Sequence, residues 1–218
     1  MFSYCWIILF APIAGFTILS WYGNRMSRER VGMFGCATVG LSFLVTLVAL
    51  SELLLDVEKQ KGAVSTLYNW VTAGSFSLNL SILIDPLSVF MLLIVTGVGF
   101  VIHVYSIGYM REDPEYSRFF AYMNLFIFSM SVLVMAADFF FLIVGWALVG
   151  LASYPLIGFW KEKTSAVLAA RKAFVMNVIG DVGMIIAAFM IFDHLGTLNF
   201  LDVFALAGEA FRPNDDAI

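Results

Sequence analysis

The chain has 218 residues, of which 61% are hydrophobic and 13% charged, and its formal net charge is −4. Soluble domains are nearer about 50% hydrophobic and about 25% charged, so this composition indicates an integral membrane protein embedded in a lipid bilayer. The sequence has no block of basic residues, which argues against a nucleic-acid partner.

Six apolar stretches are each long enough to cross a bilayer, because about 20 helical residues span its hydrocarbon core. The sequence therefore predicts an all-α membrane protein with about six transmembrane helices. The predicted spans cover about residues 4–21, 31–50, 86–110, 119–136, 139–160 and 173–192. The short break at Ala137 and Asp138 predicts that the fifth span runs antiparallel and close to the fourth.

The longest polar segment lies between the second and third spans. Apolar and polar residues alternate from Phe76 to Ile82, a period of two that is typical of a strand. Residues 68–71 can pair with this strand across a turn at residues 72–75. The pattern predicts a small β-hairpin on the membrane surface, with an irregular loop as the alternative.

The third span begins at the pair Asp85 and Pro86, residues that suit the first turn of a helix. Its later half contains His103. A lone histidine in such a span is more often a hydrogen-bonded packing residue than a proton carrier, and we keep the carrier role as the alternative.

The sixth span contains an acid, Asp181. A carboxylate well inside a span costs at least about 2.5 kcal/mol on insertion scales, so it is a functional-site hypothesis by default. After this span, residues 197–211 form an amphipathic pattern that predicts a helix at the interface, capped near Thr197 or Asn199. The ending RPNDDAI predicts that the sequence is a fragment of a longer protein.

Lys and Arg residues concentrate in the first, third and fifth loops. The positive-inside rule assigns these loops to the cytoplasm, which places both termini and the hairpin on the periplasmic side. The two cysteines, Cys5 and Cys36, fall in apolar spans and are expected to be buried packing thiols. The sequence contains no phosphate-binding glycine loop and no ligand cluster for a metal or an iron–sulfur centre.

Long runs of the sequence resemble the largest antiporter-like membrane subunit (chain 5 or L type) of respiratory complex I, the NADH:quinone oxidoreductase. The runs are DPLSVFMLLIVTGVGFVIHVYSIGYM, YSRFFAYMNLFIFSMSVLVMAADFFFLIVGW, LVGLASYPLIGFW and KAFVMNVIGD. Related subunits occur in multisubunit cation/proton antiporters and in membrane-bound hydrogenases. The resemblance implies a division of the chain into three parts: an N-terminal three-helix segment at residues 1–110, the start of an antiporter-like repeat at 111–193 and an interfacial tail at 194–218.

The resemblance also implies a subunit that holds no cofactor of its own and moves protons. NADH, FMN, iron–sulfur clusters and quinone are expected in partner subunits of the complex. A separate chain would supply the seventh and later helices of the family. The implied location is the bacterial inner membrane, with the mitochondrial inner membrane as the alternative.

Two family residues are replaced in this chain. The family has a proton-transferring glutamate after the tryptophan of the fifth helix, and here Ala147 follows Trp146. The sixth helix of the family carries an arginine three residues before the aspartate, and here Val178 takes that position. Such an arginine would meet the aspartate one turn away. Asp181 is thus left without an ionic partner on its own helix.

Lys172 is the remaining proton-path candidate. It precedes Asp181 by nine residues, which places it on the opposite side of the helix and near the membrane surface. We expect it to be a cytoplasmic anchor, with a relay role as the alternative. Two function classes follow from the sequence, a proton-translocating subunit and a non-transporting membrane scaffold descended from one.

Overall fold

A computed structural model describes residues 2–56, 62–73 and 76–210. Six of its helical segments are long and apolar enough to cross a membrane, which confirms the predicted fold class. The helices are α1 Trp6–Tyr22, α2 Arg28–Leu55, α3 Pro86–Leu92, α4 Gly99–Tyr109, α5 Tyr116–Val134, α6 Phe139–Ile157, α7 Thr164–Leu195 and α8 Phe200–Ala210. Short 3-10 turns at Ser3–Cys5 and Gly23–Arg25 extend the first span.

Helices α2 and α7 extend further into the polar loops than the apolar stretches predict, whereas α5 and α6 end at Val134 and Ile157, short of the predicted residues 136 and 160. Helix α2 already begins at Arg28, where the Ser27 side chain accepts a hydrogen bond from the backbone N–H of Arg30 at 3.4 Å. Helix α7 begins at Thr164, well before the apolar part of its sequence. Hydropathy marks where a helix leaves the hydrocarbon, whereas backbone hydrogen bonds continue into the aqueous region.

The third span consists of α3, a π-helical segment at Leu93–Val98 and α4. Its start is the predicted one, because the Asp85 carboxylate accepts from the Ser88 N–H at 2.7 Å and the Ser88 hydroxyl accepts from the Asp85 N–H at 2.8 Å. The buried Thr96 hydroxyl donates to the Leu92 carbonyl at 2.6 Å inside the π segment. This wider turn has no signature in the sequence and was not predicted.

The predicted β-hairpin is confirmed, and the alternative of an irregular loop was wrong. Strands β1 Ala63–Ala73 and β2 Phe76–Ile84 pair antiparallel, with two irregularities in their register. Strand β1 is longer than the predicted 68–71, and of the predicted turn at residues 72–75, Thr72 and Ala73 belong to β1 while residues 74 and 75 lie outside the described residues. The end of β2 is fastened to the helices, because the Leu83 N–H donates to the Met135 carbonyl at 2.9 Å and Ile84 is fully buried.

Helices α1, α2, α4 and α5 pack into one bundle, α6 packs on α5, and α7 packs on α6. One apolar core lies beneath the hairpin, and a second lies at the opposite end around Phe120 and Val31. Gly145 allows the close approach of α6 to α5, because a Cβ there would come within 2.6 Å of the Leu133 Cα. Close packing is the role that glycines commonly have between helices in lipid.

The three basic loops meet at one end of this helix array. The Arg28 guanidinium donates to the Arg111 carbonyl, which joins the first loop to the third. The Trp160 indole donates to the Asp113 carboxylate at 3.1 Å, which joins the third loop to the fifth. These contacts agree with a topology in which the basic loops share one face.

The corner between α5 and α6 and the link between α7 and α8 are also joined. The Phe139 N–H donates to the Leu198 carbonyl at 3.0 Å, and the Phe200 N–H donates to the Ala137 carbonyl at 3.2 Å. Of the two predicted caps of α8, Asn199 is the one whose side chain accepts from the helix, at 3.0 Å from the Leu201 N–H.

Candidate functional site

His103 lies inside the bundle and is fully buried. Its Nδ1 is 2.7 Å from the Gly99 carbonyl oxygen, and its Nε2 is 3.5 Å from the Asn124 amide nitrogen. The Asn124 amide also donates to the Phe120 carbonyl at 2.9 Å and accepts from the Thr38 hydroxyl at 2.7 Å. A connected polar cluster therefore links α2, α4 and α5.

The geometry of this cluster fits a neutral imidazole. A carbonyl oxygen can only accept, so the proton lies on Nδ1 of His103 and Nε2 is left to accept from Asn124. Gly15 of α1 leaves the space for the cluster, because a Cβ there would lie 2.5 Å from the Asn124 amide oxygen and 2.8 Å from the Thr38 hydroxyl. Nothing in the sequence marks Thr38, Asn124 or Gly15 as neighbours of His103, because each lies on a different helix.

Asp181 lies on the α7 face that packs against α6. One turn before it, the Asn177 side chain fills the space beside Gly150 of α6, where a Cβ would not fit. The Asp181 side chain is half-buried, and its Oδ1 is buried with no hydrogen-bond partner in the described ranges. An unpaired buried oxygen of this kind is expensive and calls for an explanation.

The antiparallel packing of α6 and α7 relates Asp181 to the replaced family glutamate. Asn177 meets Gly150, so moving one turn forward in α7 to Asp181 corresponds to moving one turn back in α6, to Ala147. The two positions therefore lie at the same depth. The glutamate that the resemblance implies at position 147 would be level with Asp181, and this chain has the methyl group of Ala147 there.

The structure does not bring the three candidates together. Lys172 is exposed and precedes Asp181 by roughly two and a half turns of α7. His103 belongs to the bundle, whereas α7 packs mainly on α6 and α8. Cys5 and Cys36 are both buried, as predicted. Over residues 2–56, 62–73 and 76–210, no group of three His, Cys, Asp or Glu side chains is placed to hold a metal ion.

Comparison with known proteins matches two family models to this chain. The model described as "NADH-Ubiquinone oxidoreductase (complex I), chain 5 N-terminus" matches residues 70–120. The model described as "NADH:quinone oxidoreductase/Mrp antiporter, TM" matches residues 136–215. Together the two models cover more than half of the chain.

Relatives at the level of whole sequences agree with these models. The chain is 43% identical to NADH-quinone oxidoreductase subunit L of Mycobacterium tuberculosis over 96% of its own length and 33% of the relative's. It is 39% identical to the Escherichia coli subunit L over 97% of its own length and 34% of the relative's. The chain thus spans about a third of the length of these relatives.

Two solved structures share the fold. One is the membrane-bound sulfane sulfur reductase, an archaeal respiratory complex, with a TM-score of 0.77, 15% identity, and coverage of 95% of this chain and 40% of that one. The other is the Mrp complex of Dietzia sp., with a TM-score of 0.77, 23% identity, and coverage of 92% and 21%. The membrane helices and the two family models together define an antiporter-like helical membrane subunit. The chain belongs to the complex I L-type subunit family and is a multi-pass membrane protein.

Proposed function

We propose that this chain works as a non-redox, proton-translocating membrane subunit of an NADH:quinone oxidoreductase. The observation that carries the proposal is the buried Oδ1 of Asp181, which has no hydrogen-bond partner among the described residues and lies in the middle of a transmembrane helix. Asp181 stands about nine residues, or about 13 Å, inside the apolar part of α7. A carboxyl group at that depth can take up and release a proton where water and backbone groups do so poorly.

The proton path needs groups that α6 and α7 do not provide. Ala147 cannot exchange a proton, and Val178 cannot neutralise a carboxylate, so a basic or polar partner must approach Asp181 from another element. The Asp181 side chain is only half-buried, so such a partner can reach its carboxyl group at the edge of the contact between α6 and α7. Other membrane subunits of the complex, or a separate chain carrying further helices, would supply that partner.

A second candidate function is a non-transporting membrane scaffold derived from such a subunit. The observation that favours it is the pair of replacements at Ala147 and Val178, which remove an acid and a base of the family pattern. A subunit of a multisubunit cation/proton antiporter or of a membrane-bound hydrogenase is a further relative of the same class. Under the scaffold function, Asp181 would serve assembly and not proton movement.

The experiment is a comparison of Asp181→Asn with Asp193→Asn in the intact complex reconstituted into vesicles. Asp193 is a matched control, because it is an exposed aspartate on the same helix. Proton uptake per NADH oxidised is measured with a pH-sensitive dye. We expect Asp181→Asn to lower this ratio, Asp181→Glu to preserve it and Asp193→Asn to leave it unchanged.

The scaffold makes the opposite prediction for the same variants. If Asp181→Asn pumps as many protons per NADH as wild type, the translocation proposal fails. A loss of assembled complex at an unchanged ratio supports the scaffold. A native mass measurement of the purified complex identifies the chains that accompany this subunit.

For the orientation we propose that the end formed by the basic loops faces the cytoplasm, as the positive-inside rule predicts. Both native cysteines are buried, so single introduced cysteines report the topology. A membrane-impermeant thiol reagent added to intact cells should label Thr197→Cys and not Ser165→Cys. The reverse labelling would place the termini in the cytoplasm.

A further inference from the structure

A pocket of about 360 Å³ lies where the start of α5, the end of α6 and the start of α7 meet. Two bases, Arg118 and Lys161, line it, together with the phenols of Tyr122 and Tyr154. Among the described residues that line this pocket none is acidic. The rest of its wall is mostly apolar, so the pocket combines positive charge with a surface suited to hydrocarbon.

The Arg118 guanidinium is held in place but retains a free donor. Nη1 lies 3.0 Å from the Glu115 carboxylate, Nη2 donates to the Phe159 carbonyl at 3.3 Å, and the guanidinium carbon lies 5.2 Å from the centre of the Phe159 ring. Nε is buried and has no hydrogen-bond partner within the described part of the chain. Because Nε is closed off from solvent, the fixed guanidinium offers a ligand its positive charge and the remaining hydrogens of Nη1 and Nη2.

The beginning of α7 adds to the positive potential. The residue that precedes the helix, Lys163, caps it with no side-chain hydrogen bond. Val167, in the first turn, lines the pocket. The partial positive charge of a helix N-terminus therefore lies beside the two bases.

Of the three neighbouring acids, Asp113 and Glu115 are already engaged, and Glu162 is exposed and does not line the pocket. Asp113 accepts from the Trp160 indole at 3.1 Å and from the Glu115 N–H at 2.8 Å, while the Glu115 carboxylate binds Arg118. The ammonium of Lys163 lies 4.5 Å from the centre of the Trp160 ring. Tryptophan beside lysine at the end of a span is typical of the membrane–water interface, so the pocket opens at the depth of lipid headgroups.

We propose that this pocket binds an anionic glycerophospholipid, with the headgroup phosphate at Arg118 and Lys161 and the glycerol and acyl region along Tyr154 and Val167. Basic pockets between transmembrane helices suit such headgroups, and the apolar wall distinguishes a lipid from a free phosphate ion. The bound lipid wedges between α5 and α7. It thereby stabilises the position of α7, which otherwise packs mainly on α6 and α8. The proposal does not depend on proton transport.

The test uses the intact complex in phosphatidylcholine vesicles that contain a small fraction of photoactivatable phosphatidylglycerol. After illumination, mass spectrometry locates the cross-linked residues. We expect cross-links in the segments that contain Tyr122, Tyr154 and Val167. Unlabelled phosphatidylglycerol should compete, whereas added phosphatidylcholine or inorganic phosphate at the same concentration should not.

Variants separate charge from shape in this pocket. Lys161→Gln should reduce the cross-link yield about fivefold, the effect of removing one base near a lipid surface, and Lys161→Arg should preserve it. Val167→Trp fills the pocket while leaving both bases in place, and it should abolish the cross-links. Lys172→Gln is the control, because this exposed base does not line the pocket.

Three outcomes would overturn the proposal. Equal cross-linking in wild type, Lys161→Gln and Val167→Trp would indicate lipid that only surrounds the protein. Competition by inorganic phosphate would indicate a site for a soluble anion. A carbodiimide cross-link from Lys161 to an acidic residue of another subunit, with no lipid adduct, would indicate that a protein occupies the pocket.

Discussion

A polar side chain inside a transmembrane helix has different surroundings in the N-terminal bundle and in helix α7. In the first span 39% of the most apolar stretch is buried within the chain, whereas in α7 the share is 6%. His103 in the bundle is fully buried with both ring nitrogens engaged, while Asp181 in α7 retains an oxygen that no described residue hydrogen-bonds. The polar cluster around His103 is satisfied within the bundle, although the buried Ser131 hydroxyl of α5 also has no partner among the described residues, and α7 leaves most of its surface uncovered.

The variant with the largest expected effect removes the centre of the bundle's polar cluster. Asn124→Ala leaves His103 and the Thr38 hydroxyl with a lost partner in a dry interior, which should destabilise the subunit by about 2–4 kcal/mol. The midpoint of thermal unfolding in mild detergent should fall by roughly 5–10 °C. Asn177→Ala on α7, outside the bundle, serves as the control.

If Asn124→Ala and Asn177→Ala shift the unfolding midpoint equally, the polar cluster of the bundle contributes no more to stability than the contact of α7 with α6, and the contrast drawn above is wrong. Asn177 is only half-buried and packs beside Gly150 without sharing a hydrogen-bonded cluster with buried neighbours in the described ranges. Its truncation should therefore shift the midpoint by no more than about 3 °C, the equivalent of about 1 kcal/mol.

A pair of glycine substitutions tests the same contrast through packing. Gly15→Ala introduces a Cβ that would lie 2.5 Å from the Asn124 amide oxygen, so it should destabilise the bundle by about 1–3 kcal/mol. Gly183 of α7 has no atom within 4 Å of its would-be Cβ. In the subunit alone, Gly183→Ala should be neutral or stabilising by up to about 1 kcal/mol, because alanine is the better helix former.

The same two glycine substitutions, made in the assembled complex, also test whether another chain packs on α7. If Gly183→Ala now weakens assembly while remaining neutral in the isolated subunit, another chain packs closely on this face. Thermal midpoints of the subunit and native electrophoresis of the complex measure the two effects. A neutral result in both settings would mean that lipid covers α7 at this level.

The sequence predicted where the helices lie along the chain better than it predicted which side chains meet between them. Span number, the start at Asp85, the Asn199 cap and the hairpin follow from apolar length, capping residues and alternation, all of which are local properties. The cluster around Asn124 depends on four helices meeting at one point, and a buried asparagine or threonine has no periodic signal. The π-helical segment at Leu93–Val98 likewise depends on tertiary packing.

The candidate site was predicted in part. Asp181 could be singled out because a carboxylate is rare within an apolar span. The sequence could not show that Asp181 and Ala147 lie at the same depth. That depth depends on the register between α6 and α7, which the contact of Asn177 with Gly150 reveals. The roles of Asp181, His103 and Lys172 in proton transfer stay predictions, as does the division of the chain at residues 110 and 193.

The smallest expected effect concerns Asp138, which joins the two regions at the corner between α5 and α6. Its carboxylate accepts from the Phe141 N–H at 2.7 Å and caps α6. Asp138→Ala should lower the free energy of unfolding by about 1 kcal/mol. Asp138→Asn keeps the cap and should lower it by only about 0.3 kcal/mol. A loss as large as that of Asn124→Ala would show that this corner, and not the polar cluster, holds the bundle together.

The same residue gives a pH dependence with a defined sign. Burial raises the pKa of the Asp138 carboxyl above its ordinary value, although hydrogen bonds from the Phe141 and Phe140 N–H groups oppose that rise. A carboxyl whose pKa is higher in the folded state stabilises the fold fully below its unfolded pKa and loses that contribution as the pH rises through the folded pKa. Asp138→Asn, which does not titrate, should therefore gain stability relative to wild type as the pH rises from the ordinary aspartate range toward neutrality. Thermal midpoints of the two proteins measured across that range should diverge in this direction. Midpoints that converge would mean that the two N–H bonds outweigh burial at this corner.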